Sequence, residues 1–193
     1  MKRLFFGLAV LLGMSLMLSS CDYNELVEEQ EEVEAAWAEV QNQYQRRMDL
    51  IPNLVNTVKG YAEHEQNTLN MVTSARAKVG NMNLSVEDLD EETMAKFQKA
   101  QEELSQGIGR LLAVAEAYPD LKANQNFLQL QDQLEGTENR IAVARRNFND
   151  AAREYNAEIR KFPTLIYAGW FGFKKKPYFE SQSGAEYAPE VKF

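Results

Sequence analysis

The sequence predicts an all-α protein, an elongated antiparallel bundle of three to four long helices with a kink or break near Pro52. Three observations lead there. Between residues 121 and 162, Leu134, Ile141, Phe148, Tyr155 and Phe162 recur at every seventh place, with Ala144, Ala151, Ala152 and Ile159 between them, so one stripe faces the same way for many turns. Such a helix of about 40 residues would be about 60 Å long, and only other long helices can cover its apolar seam. Two further stretches, before and after a polar connector at residues 80–92, carry the same three-four spacing of apolar residues.

The chain begins with Lys2 and Arg3 and an apolar run over residues 4–18, the charged and hydrophobic regions of an export signal. The run is short for a membrane span, which needs about 20 apolar residues. It ends in Leu18-Ser19-Ser20-Cys21, which resembles a bacterial lipobox. That resemblance implies cleavage before Cys21, a diacylglycerol on its thiol and a further acyl chain, such as palmitate, on the new amino group. Cys21 is the single cysteine. An intrachain disulfide is therefore impossible, and a lone exported thiol is a liability unless modified. Two or three acyl chains hold a domain at a bilayer durably where one does so only marginally. The expected location is a bacterial cell membrane, with the domain outside the cytoplasm and lipid its first partner. The alternatives are an uncleaved single-pass helix or an outer-membrane lipoprotein. Asp22 resembles the residue that retains lipoproteins in the inner membrane of enterobacteria.

The expected divisions are a signal peptide at residues 1–20, a lipidated N-terminus and tether at 21–32, a helical bundle at 33–162 and an aromatic and basic tail at 163–193. In the first helix Val33, Trp37, Val40 and Tyr44 keep the three-four spacing, and Ile51, Leu54, Val55, Val58, Tyr61, Ala62, Leu69, Val72, Ala75 and Val79 continue it. Pro52 lacks the N–H that would reach the Met48 carbonyl, and Asp49 is a candidate cap for a fresh start; the in-phase stripe favours a kink or two closely abutting helices. In the connector, Ser85 with Asp88 and Asp90 with Thr93 are candidate local caps. Met94, Phe97, Leu104, Ile108, Leu111, Leu112, Ala115 and Tyr118 form the next face, in which Gly107 and Gly109 weaken the helix or mark close approach of another backbone. Tyr118-Pro119-Asp120 turns the chain into the long helix, and Phe162-Pro163 ends it. The tail has no clear period. It either folds over one end of the bundle or offers Trp170, Lys174, Lys175, Lys176 and Tyr178 to lipid or a partner.

The chemistry-bearing residues are sparse. A net charge of −8 argues against nucleic acid as a partner, and no interleaving of aromatic and basic residues of the RNA-binding kind is present. His64, the one histidine, lies outside any HExxH pattern, so neither a zinc site nor a carboxylate-histidine di-metal site is expected. The acidic groups Glu31/Glu32/Glu34, Asp90/Glu91/Glu92 and Glu102/Glu103 fall in solvated stretches, and there is no glycine-rich phosphate loop. No catalytic residue, metal, cofactor or small-molecule substrate is expected. One polar feature stands out: Asn42, Arg46, Asp49, Asn53 and Asn56 recur on the face opposite Tyr44 and Ile51. Ordinary solvated surface, a buried hydrogen-bond layer and a partner surface are all compatible with that stripe.

Residues 40–61, VQNQYQRRMDLIPNLVNTVKGY, resemble the signature of the LemA family. Ala75-Arg76-Ala77, Asn147-Phe148-Asn149, Phe162-Pro163, Phe171-Gly172-Phe173 and Pro177-Tyr178-Phe179 match it in order. The resemblance implies a bacterial protein built as a long antiparallel helical bundle tethered by its N-terminus, and it supplies no catalytic residues. Many family members resemble this chain in the body but carry a plain N-terminal membrane segment in place of the lipobox. The expected role is non-catalytic binding or scaffolding of an unknown envelope protein. The alternative is an accessory component of an envelope enzyme or transport system with a small site between helices.

Overall fold

The structure is a computed structural model that describes residues 2–82 and 84–180, with side chains from residue 23 onward. Helix α1 spans Lys2–Lys59, α2 Gln66–Gly80 and α3 Glu91–Val114. A 3₁₀ turn and the short α4, Pro119–Lys122, lead to α5, Gln125–Glu158, and the short α6, Thr164–Tyr167. Among the described residues there is no β-strand.

The four long elements run up, down, up and down. Antiparallel packing of α1 on α5 follows from cross-contacts that pair Gln43 with Arg140, Arg47 with Glu138 and Tyr61 with Asn124. Lys78 with Glu103 and Met71 with Arg110 set the same sense between α2 and α3. On α1 the buried residues are Leu26, Val33, Trp37, Val40, Tyr44, Arg47, Ile51, Leu54 and Val58. On α5 they include Phe127, Leu134, Thr137, Ile141, Ala144, Phe148, Ala152 and Tyr155. Steps of three and four average to the heptad, which keeps one seam facing its neighbour along both helices. Residues 23–32, read as a tether from the sequence, are helical, and Leu26 is fully buried.

The α1 helix passes through Pro52 without a break. Proline costs a helix interior the hydrogen bond to the carbonyl four residues earlier, here that of Met48. In this fold Arg76 on α2 supplies the substitute: its Nε–H donates to the Met48 carbonyl at 3.2 Å. Ile51 and Leu54 on either side are buried, so packing holds the helix together across the proline. Asp49 makes no cap; its carboxylate accepts from the Gln45 amide at 2.7 Å.

Local caps explain the starts of α3 and α5. Asp90 and Thr93 form a reciprocal capping box at the start of α3, as their spacing predicts. Asn124 accepts the Phe127 N–H at 3.0 Å and starts α5, so the long helix begins at Gln125 rather than at Leu121, which lies on α4. It also ends early, at Glu158. Phe162, assigned to the heptad seam from the sequence, is 81% exposed, because the chain has already turned away from the bundle. Gly107 does mark a close approach: a Cβ there would sit 3.3 Å from Cγ2 of Val72 and 3.6 Å from its Cα, whereas Gly109 faces open space.

The tail divides into two parts with different fates. Residues 174–180 run back along α5 without helix or strand. Asn156 donates to the Lys176 carbonyl and accepts its N–H, both at 2.8 Å; Asn149 does the same for Phe179 at 2.9 and 2.8 Å. Seven helical residues rise about 10.5 Å, and three extended residues cover about 10 Å. That equality keeps both asparagines in register with the strap. Phe179 is thereby seated among Trp37, Phe97 and Phe148, with ring centroids 6.0, 6.5 and 5.5 Å away. The other part, α6 and its flanking turns, stands at the end of the bundle beside Tyr23.

Candidate functional site

The five residues of the polar stripe on α1, Asn42, Arg46, Asp49, Asn53 and Asn56, are all exposed. None joins a buried hydrogen-bond layer. Their helix face turns outward because the opposite one holds the heptad seam. Toward its C-terminal end the stripe meets α5, where Asn53, Asn56 and Thr57 line an open groove with Asn126, Gln129, Leu130 and Gln133. Five of the α1 and α5 side chains there are carboxamides and none is charged, so the groove presents directed donors and acceptors without net charge.

The residue next to the stripe, Arg47, was not singled out by the sequence reading and is the most deeply placed charge in the bundle, 1% exposed. It sits on the seam, three residues after Tyr44 and four before Ile51. Its guanidinium donates to Ser105 Oγ at 2.7 Å, to Glu138 at 2.9 Å and to the Gln101 side chain. The Tyr44 ring lies 5.1 Å from the guanidinium carbon. Helices α1, α3 and α5 are thus joined through one planar donor fork, which suits arginine better than lysine. A polar cleft opens outward from this knot, lined by Gln98, Lys99, Glu102 and Arg145 among others. Burial raises the pKa of the Tyr44 phenol, against the pull of Arg145 and Arg47, and raises that of Tyr155 to about 12. Both therefore stay neutral at physiological pH.

At the N-terminal end of the described body, carboxylate oxygens of Glu25, Glu29 and Glu158 lie within 4.8 Å of one another. Burial, then Glu158 and Glu25, raises the pKa of the Glu29 carboxyl, while Lys161 acts in the opposite direction. Among the described residues these three are the set whose spacing could receive a cation, and the Lys161 ammonium already pairs with Glu158.

The tail candidates are split. Trp170 is 84% exposed, Lys174 is exposed, and Lys175 is exposed with its ammonium 3.1 Å from Glu91. Tyr178 lies at the edge of exposure. Lys176 corrects the sequence reading, since the strap turns it inward, where its ammonium donates to the Val86 carbonyl at 3.2 Å and desolvation lowers its pKa. A buried lysine cannot meet a bilayer surface. The lipobox residues Leu18, Ser19, Ser20 and Cys21 fall outside the described side chains, as does the chain after residue 180. Among the described residues no helix is long and apolar enough to cross a membrane.

Comparison with known proteins adds the following. The family model described as the LemA family matches residues 36–193. Protein LemA of Metamycoplasma hominis is 29% identical over 141 residues, covering 73% of this chain and 61% of that protein. Magnetosome protein MamQ 2 of Paramagnetospirillum magneticum is 28% identical over 181 residues, covering 85% of this chain and 66% of that protein. Magnetosome protein MamQ of Magnetospirillum gryphiswaldense is 26% identical with the same coverage. This chain therefore spans less than two thirds of the length of these relatives.

Proposed function

The chain belongs to the LemA family, and from that premise we propose that it is a membrane-tethered module of the bacterial envelope that works by binding or scaffolding another protein. The observation that carries this reading is the exposed row of Asn42, Arg46, Asp49, Asn53 and Asn56, continued by the carboxamides of Asn126, Gln129 and Gln133 on α5. Asparagine is a modest helix former, and glutamate or lysine would keep a helix face wet with less cost to the helix. Repeated carboxamides beside an arginine instead suit a surface that makes directed hydrogen bonds to a partner. The anchor in this reading is Cys21, acylated after cleavage at Leu18-Ser19-Ser20-Cys21.

The alternative, an accessory role in an enzyme or transporter, draws on the polar cleft at Arg47. That guanidinium is already divided among Ser105, Glu138 and Gln101, which supports an internal clamp over a ligand group.

The test is Arg46→Ala combined with Asn53→Ala, followed by crosslinking in intact cells and recovery of the detergent-solubilised protein. The double variant should keep its helicity and melting behaviour yet lose crosslinked partners. An unchanged crosslink pattern would overturn the surface assignment. Intact mass of membrane-extracted protein tests the anchor: a full-length, unacylated chain would refute lipidation, and Cys21→Ser should abolish processing.

A further inference from the structure

Phe162, Leu165, Ile166, Trp170 and Phe171 are between 54 and 84% exposed, five large apolar side chains within ten residues. Leu165 and Ile166 lie on α6, Phe162 just before it, and Trp170 and Phe171 in the turns after it. Thr164 and Ala168, four residues apart, supply the buried side of the same segment. Soluble surfaces rarely leave apolar groups of this size together without a function for them. The patch is also fixed in place: the Tyr23 ring lies 5.2 Å from Phe171 and 5.8 Å from Phe173, so it adjoins α1 at its first described side chain. Along that unbroken helix, Cys21, the proposed attachment point, lies two residues earlier, about 3 Å away in axial rise.

We infer that this patch is a bilayer-contact surface, in which Trp170, Phe162 and their neighbours enter the boundary between headgroups and acyl chains beside the N-terminal attachment. The occupant follows from position and composition. The acyl chains that the proposed function places on Cys21 sit alongside, and exposed tryptophan and phenylalanine are side chains that suit the interface. Charge contributes little, since Lys161 is paired with Glu158 and Lys175 with Glu91, and Lys174 adds a single exposed cation. The contact therefore depends on insertion and should occur on zwitterionic as well as anionic lipid. This inference rests on the tethered reading of the N-terminus.

The protein carries its own reporter. Of its two tryptophans, Trp37 is 2% exposed in the core and Trp170 is 84% exposed. The full chain is reconstituted at high dilution into liposomes of phosphatidylcholine alone, or of phosphatidylethanolamine with phosphatidylglycerol, with or without acyl chains brominated near the headgroup. A blue shift of the Trp170 emission, loss of most of it to the brominated chains in both lipid mixtures, and protection from aqueous iodide are expected. Trp170→Phe should abolish the lipid-dependent quenching, and Leu165→Asp with Ile166→Asp should restore iodide access while the protein still floats with the vesicles. Trp170 emission that is open to iodide and blind to bromine in floating protein would overturn the patch alone, and so would emission shielded from both, which would mean that protein covers it. Quenching confined to the anionic mixture would overturn the insertion mechanism. Failure to float would instead overturn the tether.

Discussion

Arg76 is predicted to be coupled energetically to Pro52, although the two belong to different helices. The Met48 carbonyl cannot receive its usual i+4 donor, because position 52 is proline, and the Arg76 Nε–H lies 3.2 Å from it. Arg76→Ala removes a charge-assisted hydrogen bond, an interaction contributing about 1.5–3 kcal/mol. Met48 and Arg76 are half-buried, so water can recover part of that, and a loss near the lower figure, about 1.5 kcal/mol, is expected. Pro52→Ala returns the missing N–H to the α1 ladder and should itself stabilise, by about 1–2 kcal/mol after the smaller entropy of the unfolded proline chain is counted. In that background Arg76→Ala should cost only about 0.5 kcal/mol, as at an ordinary surface site. The coupling is then about 1 kcal/mol. Urea and thermal melts of the four full-length proteins in non-ionic detergent micelles, followed by circular dichroism at 222 nm as a conventional (about 222 nm) helix signal, measure it. Equal losses in the two backgrounds would refute the claim that Arg76 stands in for the proline.

Phe148→Ala should cost about 3–5 kcal/mol, because its fully buried ring packs on α1 and the strap through Trp37 and Phe179, whereas Arg153→Ala should cost below about 1; small, equal shifts in the same melts would show the seam to be misread. Asn156→Ala orphans the Lys176 N–H and carbonyl at once, and limited trypsin digestion should then cut after Lys174 or Lys175 much faster than in the wild type. Unchanged cleavage would mean that Phe179 alone holds the strap. Glu29→Gln should stabilise the protein at neutral pH: the folded carboxyl has a raised pKa, so its ionisation costs stability as pH rises from the ordinary glutamate value through the folded one. The advantage should shrink as the medium is acidified below that range, and a gain that persists undiminished in acid would exclude relief of repulsion by Glu25 and Glu158.

What could be read from the sequence was what depends on neighbours along the chain. The α5 seam, the connector and the Asp90–Thr93 box are set by spacing of seven, by polar punctuation and by a cap three residues from its target. Arg47 reads as surface by its charge alone, yet its three-four register with Tyr44 and Ile51 puts it on the seam. The roles of Arg76, Asn149 and Asn156 had no such signal, since each serves a backbone group 20 to 30 residues away. Phe162 kept the heptad register after the helix that justified it had ended. The polar stripe was legible as a face, and its exposure needed the fold.

Because α1 continues through Pro52, the 37 residues from Tyr23 to Lys59 form one helix about 55 Å long. The angle at its N-terminal end is carried along that helix to the far turn at residues 60–65. A tilt of about 20° at the anchored end would move that turn sideways by about 19 Å. Reach and aim are then set by one angle at the base.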